Sequence, residues 1–99
     1  MIAFEVFING QRRFTAGGED YQALNALLGL VQLPLPKPDD VHITFSTSAI
    51  TPEAARVALW PTVELAVGDR VEIRVVDVST VDAPESVETP ERGDENVDA

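Results

Sequence analysis

Cysteine is absent from these 99 residues, so the chain forms neither a disulfide nor a thiolate metal site. It therefore differs from the stapled small domains typical of secretion, and a reducing, cytoplasmic setting is expected. Histidine occurs once, at His42, which leaves few catalytic constellations to weigh. Aromatic residues are also scarce, with four Phe, one Tyr and one Trp, so valine, leucine and isoleucine must fill the core. Seven Lys and Arg stand against seventeen Asp and Glu, a net charge of −10. Phosphate backbones require the opposite field, and direct nucleic-acid binding is not expected. No apolar run approaches the roughly 20 residues of a membrane span. The start, Met1-Ile2-Ala3-Phe4-Glu5-Val6, has no basic region ahead of its apolar residues, and Glu5 interrupts them early. Neither a secretory leader nor membrane association is expected.

What is present is the composition of a folded protein, 44% hydrophobic and 24% charged, with room for one core. The charge is uneven. Residues 1–78 carry ten acids and six bases, whereas residues 79–99 carry seven acids and Arg92 alone as a base. Burial of Val81, Val87 and Val97 cannot offset the backbone entropy of ordering that second stretch, and Pro84, Pro90 and Gly93 oppose helix. The expected organisation is a domain over 1–78 and a disordered acidic tail over 79–99.

Within the domain, Ile2, Phe4, Val6 and Ile8 alternate with Ala3, Glu5 and Phe7 up to Asn9-Gly10, the pattern of a strand entering a hairpin. A two-residue turn there sets Glu5 against Phe14 and Val6 against Arg13. A three-residue loop, Ile8-Asn9-Gly10, sets Phe4 against Phe14 and Glu5 against Arg13, and is the register expected. After Gly17-Gly18, the acids Glu19 and Asp20 suit the first turn of a helix. Tyr21, Leu24, Leu28 and Val31, widened by Leu27, then form a helical stripe over 19–31. Pro34, Pro36 and Pro38 read as an extended crossover lacking the P-x-x-P spacing of a proline-recognition ligand. Val41, Ile43 and Phe45 alternate with His42, Thr44 and Ser46 as a strand. Thr51-Pro52-Glu53 suits a turn or helix start, while Ala55, Val57 and Leu59 alternate as a short strand over 55–60. Val67-Gly68-Asp69 turns into a closing strand with Val71, Ile73 and Val75 on one side, and the phase slips at Val76 and Val78.

The order strand, strand, helix, strand, short strand, strand resembles the ubiquitin-like β-grasp superfamily across residues 1–78. The residues that carry the resemblance are the Asn9-Gly10 hairpin, the helix at 19–31 and the closing Val67-Gly68-Asp69-Arg70-Val71-Glu72-Ile73. That closing segment is similar to the end of sulfur-carrier β-grasp proteins. The resemblance implies an α+β fold, a β-grasp-like mixed sheet of four to five strands packed on one helix. It does not extend to the activated C-terminal diglycine of the conjugated members, since this sequence runs on to Asn96-Val97-Asp98-Ala99. Gly17-Gly18 is internal and is explained by a strand-to-helix turn.

No catalytic residue, cofactor or metal ligand is expected. His42 reads as a sheet-surface residue, and Ser46-Thr47-Ser48 lacks the Gly-x-Ser-x-Gly nucleophile elbow. Asp39-Asp40 and Asp69 lack the spaced loop of a calcium site. Gly17-Gly18 is not followed by the Lys-Ser or Lys-Thr of a phosphate loop. Arg12-Arg13 suits a guarded strand edge, and Trp60 reads as core, with a partner interface as its alternative.

A helix on one side of the sheet leaves the other to display Glu5, Phe7, Arg13, His42, Thr44, Glu72, Arg74 and Val76. Phe7 is then either an apolar anchor among charges or a ring packed against arginine stems or the tail. From this face, with Phe7, Arg13, His42, Glu72, Arg74 and Val76 as its contact residues, the expected function is a non-enzymatic adaptor or scaffold that binds another protein. The alternative is an acidic inhibitor that masks a basic nucleic-acid-binding or nuclease surface, as immunity proteins do.

Overall fold

A computed structural model describes residues 1–32, 41–52 and 56–88. All of their regular structure is β: β1 Ile2–Ile8, β2 Gln11–Gly17, β3 Ala23–Gln32, β4 Val41–Ile50, β5 Val57–Leu59, β6 Val63–Leu65, β7 Val71–Asp77 and β8 Ser86–Glu88. Two antiparallel sheets form, one in the order β2-β1-β7 and the other β3-β4-β5-β8, with β6 also on β4.

This overturns the expected α+β, β-grasp-like class, because residues 23–32 form a strand and no helix lies among the described residues. Each of the ten residues of β3 pairs with β4, from Ala23 opposite Ile50 to Gln32 opposite Val41. Two signals favoured the strand. A surface helix needs a polar face, and residues 21–32 contain no charged side chain. Gly29 would also sit in the helix interior, at a cost of about 1 kcal/mol relative to alanine.

The β1–β2 hairpin turns on two residues, Asn9 at φ 53° and Gly10 at φ 82°, with Ile8 opposite Gln11. Positive φ at both positions is the type I′ geometry that matches strand twist. The clash expected of this turn is removed by a bulge between Val6 and Phe7, which leaves Arg13 without an opposite residue. Val6 then meets Phe14, Phe4 meets Ala16 and Glu5 meets Thr15. The turn is clamped to the one before β7. Asn9 Nδ2 donates to Asp69 Oδ1 (3.0 Å), Arg70 N donates to Asn9 Oδ1 (2.9 Å) and Ala66 N donates to Asp69 Oδ2 (2.7 Å). β7 pairs regularly with β1 from Val71 to Asp77, so the phase slip at Val76 is not a bulge.

The two sheets approach where β2 faces β4. Val6, Ile8, Phe14 and Ala16 there meet Phe45, Ala49, Ala58, Trp60 and Val63. Trp60 is core, only 1% exposed, with Tyr21 edge-on at 6.0 Å between ring centroids. Val41, Ile43 and Phe45 do share one face of β4, as their alternation indicates, and of the expected strand over 55–60 the part from Val57 to Leu59 is realised as β5. Pro34, Pro36, Pro38 and Asp39-Asp40 lie outside the described residues. So do Glu53 and Ala55, while Thr51 N donates to Arg56 O at 3.0 Å.

Residues 79–88, assigned by composition to the acidic tail, run as a strap from one sheet to the other. Asp82 N donates to Thr15 O (2.9 Å), and Glu85 N donates to Leu59 O (2.7 Å) as β8 joins β5. The Asp82 carboxylate accepts from Thr15 N (2.8 Å) and Arg12 Nη2 (2.7 Å), while Trp60 Nε1 donates to Asp82 O at 2.9 Å. Residues 89–99 lie outside the described residues.

Among the described residues, Thr47 Oγ1 is buried in the core with no hydrogen-bond partner. Valine has the same shape without the stranded hydroxyl. Thr47→Val is expected to raise stability by about 1–2 kcal/mol, read as a higher urea midpoint at unchanged slope.

Candidate interaction surface

Strand pairing decides which of the expected surface residues meet. On the face of the β2-β1-β7 sheet turned away from the core, Phe7 lies opposite Glu72, Glu5 opposite Arg74 and Ala3 opposite Val76. The structure thus joins Phe7, Glu72, Arg74 and Val76 on one face. Arg13, at the bulge, faces no residue of β1, and Arg12 takes the position opposite Phe7. His42 belongs to the other sheet, opposite Val31.

The charges of this face engage one another. The Arg74 guanidinium carbon stands 4.6 Å from the Phe7 ring centroid, and Arg74 Nε donates to Glu72 Oε2 at 2.8 Å. The Glu72 carboxylate stabilises that guanidinium and raises its pKa further. Arg12 Nε lies 3.6 Å from Glu5 Oε2, and its Nη2 reaches Asp82 and Thr15. Phe7 is consequently half-buried beneath an arginine, one of the two arrangements open to it in sequence.

Uncovered apolar surface lies elsewhere. Leu27 is 64% exposed, Leu28 and Leu30 61% each, and Val31 57%, all on β3. Pairing puts Leu28 opposite buried Phe45 and Leu30 opposite Ile43, so these two lie on the core-facing side beyond the region where the sheets overlap. Leu27 and Val31 lie on the reverse side. The other sheet repeats the feature at its β7 edge, where Ile73 and Val75 are exposed on the face they share with Val6 and Phe4.

The described chain is correspondingly broad and thin, 44 × 42 × 16 Å, with a radius of gyration of 16.0 Å. A compact domain of this length has about 13 Å. Sequence reasoning missed the β3 surface because a helical reading assigned those leucines to a buried stripe. The signal was in view: apolar residues in both phases of a strand cannot all face one core.

No family model, curated protein sequence or solved structure matches this chain. Its surface has to be read from its own chemistry. An open cleft of about 240 Å³ is lined by Ile2, Phe4, Gly18, Tyr21, Gln22, Ala23 and Leu24, with Tyr21 the one titratable side chain among them. Small-molecule sites are usually larger, about 300–1,000 Å³, with several convergent polar groups. Among the described residues no three His, Asp or Glu side chains gather to hold a metal ion. Ser46 and Ser48 lie on β4 opposite Leu27 and Asn25, and His42 lies beyond them on the same strand. No helix of the described residues is long and apolar enough to cross a membrane.

Proposed function

We propose that this chain is a non-enzymatic protein-interaction module whose binding surface is strand β3 with the adjoining uncovered sheet. The observation that supports this is the exposure, by more than half, of Leu27, Leu28, Leu30 and Val31 on one strand. Soluble domains rarely leave large apolar side chains uncovered on both sides of one strand unless another molecule covers them. The Phe7 face offers less, since Arg74 and Glu72 already occupy each other and the ring. An interaction through β3 uses main-chain pairing for affinity and side chains on both sides of the strand for fit.

The test is site-directed photo-crosslinking in native lysate. A crosslinking residue at position 30 is expected to give discrete protein adducts, while the same residue at position 74 gives few. Equal yields from both positions, or none from position 30, would refute the assignment.

A further inference from the structure

We propose that a second copy of this chain covers β3, the two copies pairing antiparallel through their outer β3 edges about a two-fold axis at Gly29. This rests on the interaction reading above and names its occupant.

One edge of β3 is bound to β4 along all ten residues without a register break, and the other is the outer edge of the sheet among the described residues. On that outer edge every second residue turns its N–H and C=O away from β4. Natural edges of this kind are usually blunted by charge, proline or a bulge. β3 has none of these, and no Asp, Glu, Lys or Arg occurs anywhere from Tyr21 to Pro36.

Symmetry selects the occupant. In a two-fold antiparallel pair with its axis normal to the sheet, opposed residues come from the same face of each copy. With Gly29 on the axis, Leu28 lies opposite Leu30 of the second copy and Leu27 lies opposite Val31. The four exposed large apolar side chains of the strand thus stand symmetrically about the glycine. One face of the joined sheet gains leucine pairs and the other gains leucine–valine pairs. A self-complementary surface requires such an arrangement, whereas a foreign strand does not.

Charge points the same way. At −10 per chain, two copies repel each other over most of their surface, and the uncharged strand is where that repulsion is weakest. A partner recruited by opposite charge would need acids on this edge, and there are none. With the axis at Gly29, Ala26 to Gln32 of the two copies lie opposite one another, seven residues or about 23 Å of edge, with exposed apolar side chains above and below it.

Sedimentation of the full chain at micromolar concentration tests the pairing. The expected result is a dimer for the natural sequence and monomers for Leu28→Lys and for Leu30→Glu, each with unchanged far-ultraviolet circular dichroism. Mixing the two variants is expected to restore a dimer, because the lysine introduced at position 28 of one copy then opposes the glutamate introduced at position 30 of the other. Register is read separately. In this cysteine-free chain, Gly29→Cys places two thiols across the axis and should oxidise to a disulfide-linked dimer, while Leu27→Cys, offset from its own mate, should not. A Cβ at position 29 finds room, its nearest neighbour being Thr44 Oγ1 at 3.9 Å.

A natural chain that sediments as a monomer throughout overturns the pairing. So does a dimer that both charged variants leave intact and Gly29→Cys fails to link. If the chain is monomeric yet position 30 still crosslinks to a different protein, the second copy is excluded and the interaction reading survives. If position 30 crosslinks to nothing, both fall.

Discussion

Trp60→Ala is expected to lower stability by about 3–5 kcal/mol, a large part of the roughly 5–15 kcal/mol that holds a typical domain together. The side chain is the largest one fully buried, and it stands between the sheets, edge-on to Tyr21. Its backbone N–H donates to Thr47 O at 3.1 Å and its indole N–H to Asp82 O at 2.9 Å, so one residue joins core, β4 and strap. Truncation leaves a cavity and frees the strap from its inner contact. Trp60→Phe keeps most of the apolar contact and forfeits the indole hydrogen bond, at a cost of about 1–2 kcal/mol. Urea denaturation followed by circular dichroism measures both, since the variants lack the sole tryptophan as a fluorescent reporter.

The second large effect concerns the strap. A chain ending at Val78 is expected to be less stable than one ending at Glu88 by on the order of 3 kcal/mol. The shorter chain loses the β8 pairing with β5, the three bonds that tie Asp82 to Thr15 and Arg12, and the acceptor for Trp60. Equal denaturation midpoints for the two chains would show that the strap does not tie the sheets.

Acid is expected to loosen the same strap. The Thr15 backbone N–H, and with it the Arg12 guanidinium, holds the Asp82 carboxyl below its ordinary pKa. A group depressed on folding contributes its stability in full above the unfolded value, about 3.9, and loses it as pH falls through the lower folded value. Asp69, lowered by Ala66 N–H and Asn9, titrates with the same sign. The strap's share is therefore the part of the acid sensitivity below about pH 4 that disappears in Asp82→Asn.

Much of this architecture is legible in the sequence because strands with one wet face alternate. Ile2 to Ile8, Val41 to Phe45 and Val71 to Val75 reveal their faces this way, and Trp60 is core on composition alone. The hairpin shows how far such reasoning reaches. Matching Phe4 with Phe14 and Glu5 with Arg13 points to a three-residue loop, but the turn has two residues and those partners are Ala16 and Thr15. Side-chain matching asks for a shift without saying where it falls, and the structure makes it as a bulge opposite Val6–Phe7 and not in the loop. β3 is hidden because Tyr21, Leu24, Leu28 and Val31 coincide with a helical stripe in a segment that is apolar in every phase. The strap is hidden because an acidic composition reads as solvation. Asp82 is indeed an acid, but its carboxylate has a backbone donor and a guanidinium, and composition carries no information about partners. Of the expected contact residues, Phe7, Glu72, Arg74 and Val76 could be grouped from alternation within β1 and β7. His42 could not be separated from them without knowing that its strand belongs to a second sheet.

The pairing of β1 with β7 joins Ile2 to Asp77, and the pairing of β5 with β8 joins Val57 to Glu88. The first sheet is not complete until the chain has been synthesised to residue 77, and the second not until residue 88. During translation the uncharged β3 emerges early, long before the strap that fastens the two sheets together. Sequence-distant closure of this kind slows folding, and a nascent chain with an unguarded edge is prone to pair with its neighbours. The order in which the ribosome releases these strands therefore favours encounters between chains from one messenger before the monomer has finished folding.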